Sequence, residues 1–188
     1  MLSVLENPAI RARVAAVSVE HYHRMFELGM LAPKIELIRG ALIEPIPKSP
    51  LHAFIVELLR EYLTVRLPQG YFLRQEQPLT LNDSEPEPDL AVIRGARPDF
   101  LAAHPATAEL IIEVAVSSEA LDRLKLQIYA EAGVEECWLV LADERVIERH
   151  TEPHGAAYRR IERTVAPASL ESTVCPGLSL PPAGLFPG

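Results

Sequence analysis

Three charged residues stand where an apolar framework leaves little room for charge. Glu113 interrupts the strand-like run Leu110-Ile111-Ile112-Glu113-Val114-Ala115-Val116, and Asp89 follows Pro88 at the head of a second apolar run that ends at Ile93. Lys125 falls on the apolar stripe of a helical pattern. Isolated charges on buried surfaces are costly, so such groups are normally paired or hold a metal. Two neighbouring carboxylates offer hard oxygen ligands of the kind Mg²⁺ or Mn²⁺ prefers, and a lysine beside them can meet developing negative charge. Together they point to metal-assisted attack on a phosphodiester.

The elements that would position these groups follow from periodicity. Strand alternation puts Ile111, Glu113 and Ala115 on one face, and the near-continuous apolar run is that of a strand covered on both sides. If Asp89 to Ile93 pairs antiparallel with it, the two carboxylates lie side by side. Ser117-Ser118 caps a helix running to about Ala132 with Gly133 after its end, and Leu121, Leu124, Lys125, Ile128 and Ala132 form its sheet-facing stripe. The apolar run Cys137 to Ala142 comes directly after, which is the β-α-β signature of a parallel pair. Blander placements compete: Glu113 at an exposed sheet end, or a Lys125 stem lying on apolar surface with its ammonium in water. Asp122, one turn before Lys125, either orients it or forms an ordinary i, i+3 ion pair.

Around this frame, Ser18 is placed to cap a helix through Leu28 that Gly29 closes. Lys34 to Ile38 and Ala41 to Glu44 form a hairpin turned at Arg39-Gly40. Ser49-Pro50 opens a helix with Phe54, Ile55, Leu58, Leu59, Tyr62 and Leu63 on one face, ended by Pro68 and Gly70. Tyr71 to Leu81 reads as a strand and Asn82 to Glu87 as an acidic turn. Arg145 to His150 and Ala157 to Ile161 read as a peripheral hairpin. His21 and His23 point to different faces of their helix, and His104, His150 and His154 read as surface residues.

Length and composition set outer bounds. A chain of 188 residues that is 48% hydrophobic makes one domain with a sizeable core. Seventeen prolines, clustered in loops and near the C-terminus, indicate stiff connections. Cys137 and Cys175 make no disulfide framework or metal cluster, and a reducing, cytoplasmic setting is expected. Glu6, Arg11 and Arg13 interrupt any secretion signal, and no run reaches the roughly 18 apolar residues of a membrane span. The net charge of -8 works against generic phosphate affinity, although a bound cation and a local basic rim can offset it.

In this order the residues resemble a known family. The matching segments are Ile35-Glu36-Leu37-Ile38-Arg39-Gly40, Ser49-Pro50-Leu51-His52, Glu87-Pro88-Asp89-Leu90, Glu113-Val114-Ala115, Ser117-Ser118, Asp122-Arg123, Lys125, Tyr129-Ala130, Ala132-Gly133-Val134 and Trp138. They cover roughly residues 18–186 and resemble the Uma-type endonucleases of the PD-(D/E)XK restriction-endonuclease-like superfamily. The resemblance implies Asp89 and Glu113 as ligands of Mg²⁺ or Mn²⁺ and Lys125 as the catalytic lysine, moved to the helix while Ala115 holds its usual place. Glu36 matches a glutamate that approaches the metal from the added hairpin. His52 matches a recurrent helix histidine, with a solvent-facing or capping role as the alternative. Arg39, Ala41, Val116 and Cys137 depart from the family's usual residues.

The expected fold is therefore α/β, a restriction-endonuclease-like mixed central sheet flanked by helices, with an N-terminal hairpin extension. A single domain would divide into an arm (1–17), a helix and hairpin extension (18–48), a core (49–142) and a peripheral hairpin with a Pro-rich C-terminal segment (143–188). The expected activity is Mg²⁺-dependent hydrolysis of DNA, by a homodimer if both strands are cut. A non-catalytic scaffold that keeps the acidic cluster as an ion-pair network, or a hydrolase of a smaller phosphate ester, are the alternatives.

Overall fold

The computed structural model describes residues 7–186. After a single helical turn, α1 (Pro8–Arg11), helix α2 (Val19–Glu27) starts at Ser18, whose hydroxyl accepts from the His21 amide. The hairpin of β1 (Glu36–Ile38) and β2 (Ala41–Ile43) turns through Arg39 and Gly40, at φ 48° and 74°. Positive φ at both central residues gives the turn the twist a two-residue hairpin needs. A Cβ on Gly40 would also stand 2.6 Å from that of Ala16, so glycine is required twice over. Arg39 ties the hairpin to the rest through Glu131, 2.9 Å away.

The central sheet has six strands in the order β3-β4-β5-β6-β7-β8. They are β3 (Tyr71–Gln75), β4 (Leu90–Arg94), β5 (Leu110–Ala115), β6 (Glu136–Leu141), β7 (Val146–His154) and β8 (Ala157–Thr164). Only β5 and β6 pair in parallel, across helix α4 (Glu119–Glu131); the other neighbours are antiparallel. The sheet is mixed, as the sequence implied.

Two expectations about strands change. The hairpin of β7 and β8 is not peripheral but supplies two of the six strands, because the free edge of β6 is paired along its length by β7. β3 stops at Gln75 rather than reaching Leu81, since Glu76 takes φ +47° and Pro78 has no amide to offer a ladder.

Alternation sorts β5 cleanly. Leu110, Ile112 and Val114 enter one core with Ile55, Leu59 and Leu63 of α3 (Pro50–Thr64). Ile111 and Ala115 enter the other, with Leu126, Tyr129 and Ala130 of α4. Glu113 shares their face by alternation and is buried, not at an exposed sheet end. The Pro-rich end is a packed strap: Leu170, Cys175, Leu178, Leu180 and Leu185 join the α3-side core, including the short pair β9 (Leu170–Glu171) and β10 (Ser179–Leu180).

Both flanking helices are rotated from their expected faces. On α3 the buried residues are His52, Ile55, Val56, Leu59 and Leu63, while Phe54 is 44% exposed. On α4 the buried set is Asp122, Lys125, Leu126, Ile128, Tyr129 and Ala130, with Leu121 and Leu124 half-buried. The face is one residue further round than apolarity alone implied, because its polar members find partners beneath the helix. Lys125 belongs to both versions.

Candidate active site

Asp89, the residue before β4, and Glu113 in mid-β5 are locked together through each other's backbone. The Asp89 amide donates to Glu113 Oε2 at 3.1 Å, and the Val114 amide donates to Asp89 Oδ2 at 2.9 Å. Antiparallel pairing of β4 with β5, Leu90 opposite Ile112, makes this possible by bringing the two acids level. Both are buried, at 6% and 1% exposure. The two carboxylates do lie side by side.

Each is held by further donors. Tyr129 donates its hydroxyl to Glu113 Oε1 at 2.7 Å, and His52 Nε2 lies 3.0 Å from Asp89 Oδ2. His52 is thus neither solvent-facing nor limited to capping: its ring is buried against the aspartate while Ser49 caps the helix by accepting from the His52 amide. Lys48, in the loop before α3, donates to Asp89 Oδ1 at 2.7 Å.

Lys125 reaches under α4 into the same cluster, but its nearest partner is Glu36. Its Nζ lies 2.8 Å from Glu36 Oε2 and 3.8 Å from Glu113 Oε1. Its side chain is 5% exposed, so the ammonium does not reach out to water. The N-terminal hairpin therefore delivers a third carboxylate, and the Glu36 Oε2 atom also accepts from the Glu87 amide. Asp122 forms no close ion pair with Lys125; it accepts a 2.5 Å hydrogen bond from Ser118 Oγ. Ser118 thus uses its hydroxyl on this acid rather than on a helix amide.

Electrostatics separates the acids. Burial pushes the Glu113 carboxyl up to about 8, with Lys125 opposing and Asp89 adding to the rise. Burial likewise raises Asp122 to about 6 against its hydrogen bond from Ser118. Burial also disfavours charge on Asp89, yet His52 and Lys48 outweigh it and hold the carboxyl below its ordinary value. For Lys125 burial opposes the charge, but Glu113 and Glu36 prevail and keep the ammonium protonated well above its usual range.

The cluster lines a cleft of about 70 Å³ whose walls include Glu36, Lys48, His52, Asp89, Glu113 and Lys125. That is room for a few waters. A larger cavity of about 680 Å³ lies against α2, lined by Tyr22, Phe26 and Phe100, and shares only Glu87 with the cleft. The paired acids and the lysine line the small cleft and not the larger cavity. Among the described residues no three His, Cys, Asp or Glu side chains form a ready-made metal cage. The cleft nevertheless presents hard oxygen donors of the kind a partly hydrated Mg²⁺ or Mn²⁺ takes, the adjacent carboxyls of Asp89 and Glu113.

Sequence reasoning anticipated Asp89, Glu113, Lys125, Glu36, His52 and Asp122, and the fold brings all six to one cleft. It missed Lys48 and Tyr129. A lysine in a proline-rich loop carries no signal, whereas Tyr129 lies one turn beyond Lys125 on the buried face and could have been found from helical phase. His150 is corrected: it is 4% exposed, 3.2 Å from Glu148 and edge-on to Tyr158, because β7 is an inner strand covered by α4. Cys137 and Cys175 are both free, buried thiols.

A six-stranded mixed sheet with paired acids at the end of one antiparallel ladder and a lysine beneath the next helix defines a restriction-endonuclease-like α/β protein. Residues 19–183 match the family described as "Uma2: Putative restriction endonuclease", and the chain belongs to that family. A protein from Anabaena variabilis, described as "a putative nuclease belonging to DUF820", has a crystal structure that superposes with a TM-score of 0.67. The likeness covers 86% of this chain and 96% of that one at 20% identity, and it bears on the fold. No curated protein matches the chain. Among the described residues no helix is long and apolar enough to cross a membrane.

Proposed function

We propose that the protein is a divalent-cation-dependent endonuclease that hydrolyses DNA phosphodiester bonds, with Asp89 and Glu113 holding Mg²⁺ or Mn²⁺. The observation that carries this reading is the reciprocal lock between Asp89 and Glu113, with the Lys125 ammonium 3.8 Å from Glu113 in the same cleft. The chemistry a cation supplies there is polarisation of a phosphoryl oxygen and a lowered pKa for bound water.

The chain's own groups have distinct parts. Tyr129 and the Asp89 amide orient Glu113; the Val114 amide and His52 orient Asp89. Lys125 is protonated throughout the working range, so it acts as a fixed positive charge and donor toward a transition state rather than as a base. Glu36 aims it from the hairpin. Asp122 lines the cleft from the first turn of α4 and adds negative charge near Lys125. Lys48 lines the cleft and shares Glu76 with Lys34, which brings two ammonium groups close together in a chain whose net charge is -8. A homodimer would pair two such clefts for cleavage of both strands.

Plasmid cleavage in Mg²⁺ or Mn²⁺, compared between wild type, Asp89→Ala and Lys125→Ala, tests the proposal. Activity in the wild type alone supports it, and equal background nicking in all three overturns it. A scaffold that keeps the cluster only as an ion-pair network would bind no Mn²⁺ that Glu113→Gln could abolish, which calorimetry reads directly.

A further inference from the structure

The two oxygens of Asp89 are not equivalent. Oδ2 carries two internal partners, the Val114 amide at 2.9 Å and His52 Nε2 at 3.0 Å. Both are fixed, one by the β5 backbone and the other by a buried ring on α3. Oδ1 is therefore the oxygen left for a cation. Among the described residues its hydrogen-bonding partner is Lys48 Nζ, at 2.7 Å. An ammonium and a divalent ion cannot both sit on one carboxylate oxygen without strong repulsion.

Lys48 is equipped to leave. Its Nζ already touches Glu76 Oε1 at 2.9 Å, so moving off Asp89 keeps it in an ion pair. Glu76 binds Lys34 through its other oxygen, Oε2, at 2.5 Å, which leaves Oε1 for Lys48. The Lys48 side chain is 36% exposed, whereas that of Lys125 is 5% exposed and clamped by Glu36. Pro45 and Pro47 stiffen the loop behind Lys48, so the long side chain rather than the backbone is free to move. At rest the ammonium spares a buried aspartate from facing the cleft uncompensated.

We propose that Lys48 is a tethered counter-ion that occupies the cation's place on Asp89 Oδ1 and passes to Glu76 when a divalent cation binds. This rests on the metal site proposed above. Cation entry then carries the cost of breaking one ion pair, and it leaves the Lys48 ammonium on Glu76, which also holds Lys34. Lys48 is a positioning residue whose effect is on binding, separate from Lys125.

Mn²⁺ titration calorimetry on the intact protein tests it, with wild type, Lys48→Met, Glu76→Gln, the double variant and Asp89→Asn. Lys48→Met should tighten Mn²⁺ binding by about tenfold, the scale of one charged hydrogen bond. Glu76→Gln should weaken binding several-fold while Lys48 is present and have no effect in the double variant. Unchanged affinity in Lys48→Met overturns the handover, and so do strictly additive effects, which would mark plain through-space electrostatics. If binding is lost in Asp89→Asn yet indifferent to Lys48, the handover alone falls. If neither wild type nor Lys48→Met binds Mn²⁺, the metal site falls with it.

Discussion

Glu113 and Glu136 are buried glutamates on neighbouring parallel strands, at 1% and 0% exposure, and their surroundings differ in kind. Glu136 accepts from Trp138 Nε1 at 2.5 Å through one oxygen. Its other oxygen accepts from the Thr173 amide at 2.7 Å, Thr173 Oγ1 at 2.6 Å, Ser172 Oγ at 3.2 Å and the Val174 amide at 3.3 Å. All are neutral donors, and most come from the C-terminal strap. Glu113 has two hydrogen bonds, a nearby ammonium and a face on the cleft. Burial alone therefore does not mark a reactive carboxylate. A structural one is saturated by donors that it holds in place, and the one proposed to react keeps capacity for a ligand.

The largest effect should come from the cleft. Asp89→Ala or Lys125→Ala should lower cleavage by about 10³-fold, the scale of losing one preorganised electrostatic group. Circular dichroism should show the fold retained, and a variant that cuts as well as wild type would break the contrast. Next, Glu136→Ala strands the Thr173 and Val174 amides and the Trp138 indole. It should cost about 3 kcal/mol in urea unfolding and leave cleavage by the surviving folded protein unchanged. A larger activity loss than stability loss would show that Glu136 serves the site.

Protonation gives a third test. The Glu113 value of about 8 lies above its ordinary 4.5, so between these the folded state holds a proton that the unfolded state has lost. Its contribution to stability accordingly falls as pH rises through that window. A cation must displace the same proton, so Mn²⁺ affinity should climb by up to about tenfold per pH unit toward pH 8 and level off above it. Calorimetry in buffers of different ionisation enthalpy reads the proton released. In Glu136→Ala, where the cleft is intact, the profile should be unchanged. Smallest of all, Tyr129→Phe removes one donor to Glu113 and should cost about 1 kcal/mol of stability, with cleavage reduced in kcat more than in KM.

Much of the site could be read because it sits in regular elements. Glu113 was visible as a charge inside an alternating apolar strand, and Lys125 as a charge inside a helical stripe; both patterns report which way a side chain points. Apolarity alone puts the helix faces one step out of phase with the buried ones. Asp122 and His52 are polar, so apolarity excluded residues that Ser118 and Asp89 in fact hold below the surface. His150 is buried for a related reason: β7 is covered by α4 only because β6 leaves it that edge.

By itself the sequence determined the local geometry: the two-residue turn at Arg39-Gly40, the faces of β5, the parallel return to β6 and the acids on adjoining strands. These follow from backbone sterics and side-chain period within a few residues of each other. Only the tertiary structure decided the partners. Lys125 meets Glu36 across 89 positions of chain and Lys48 meets Asp89 across 41. Such pairings depend on which strands lie side by side and how far a flexible side chain can reach, and no local pattern encodes either.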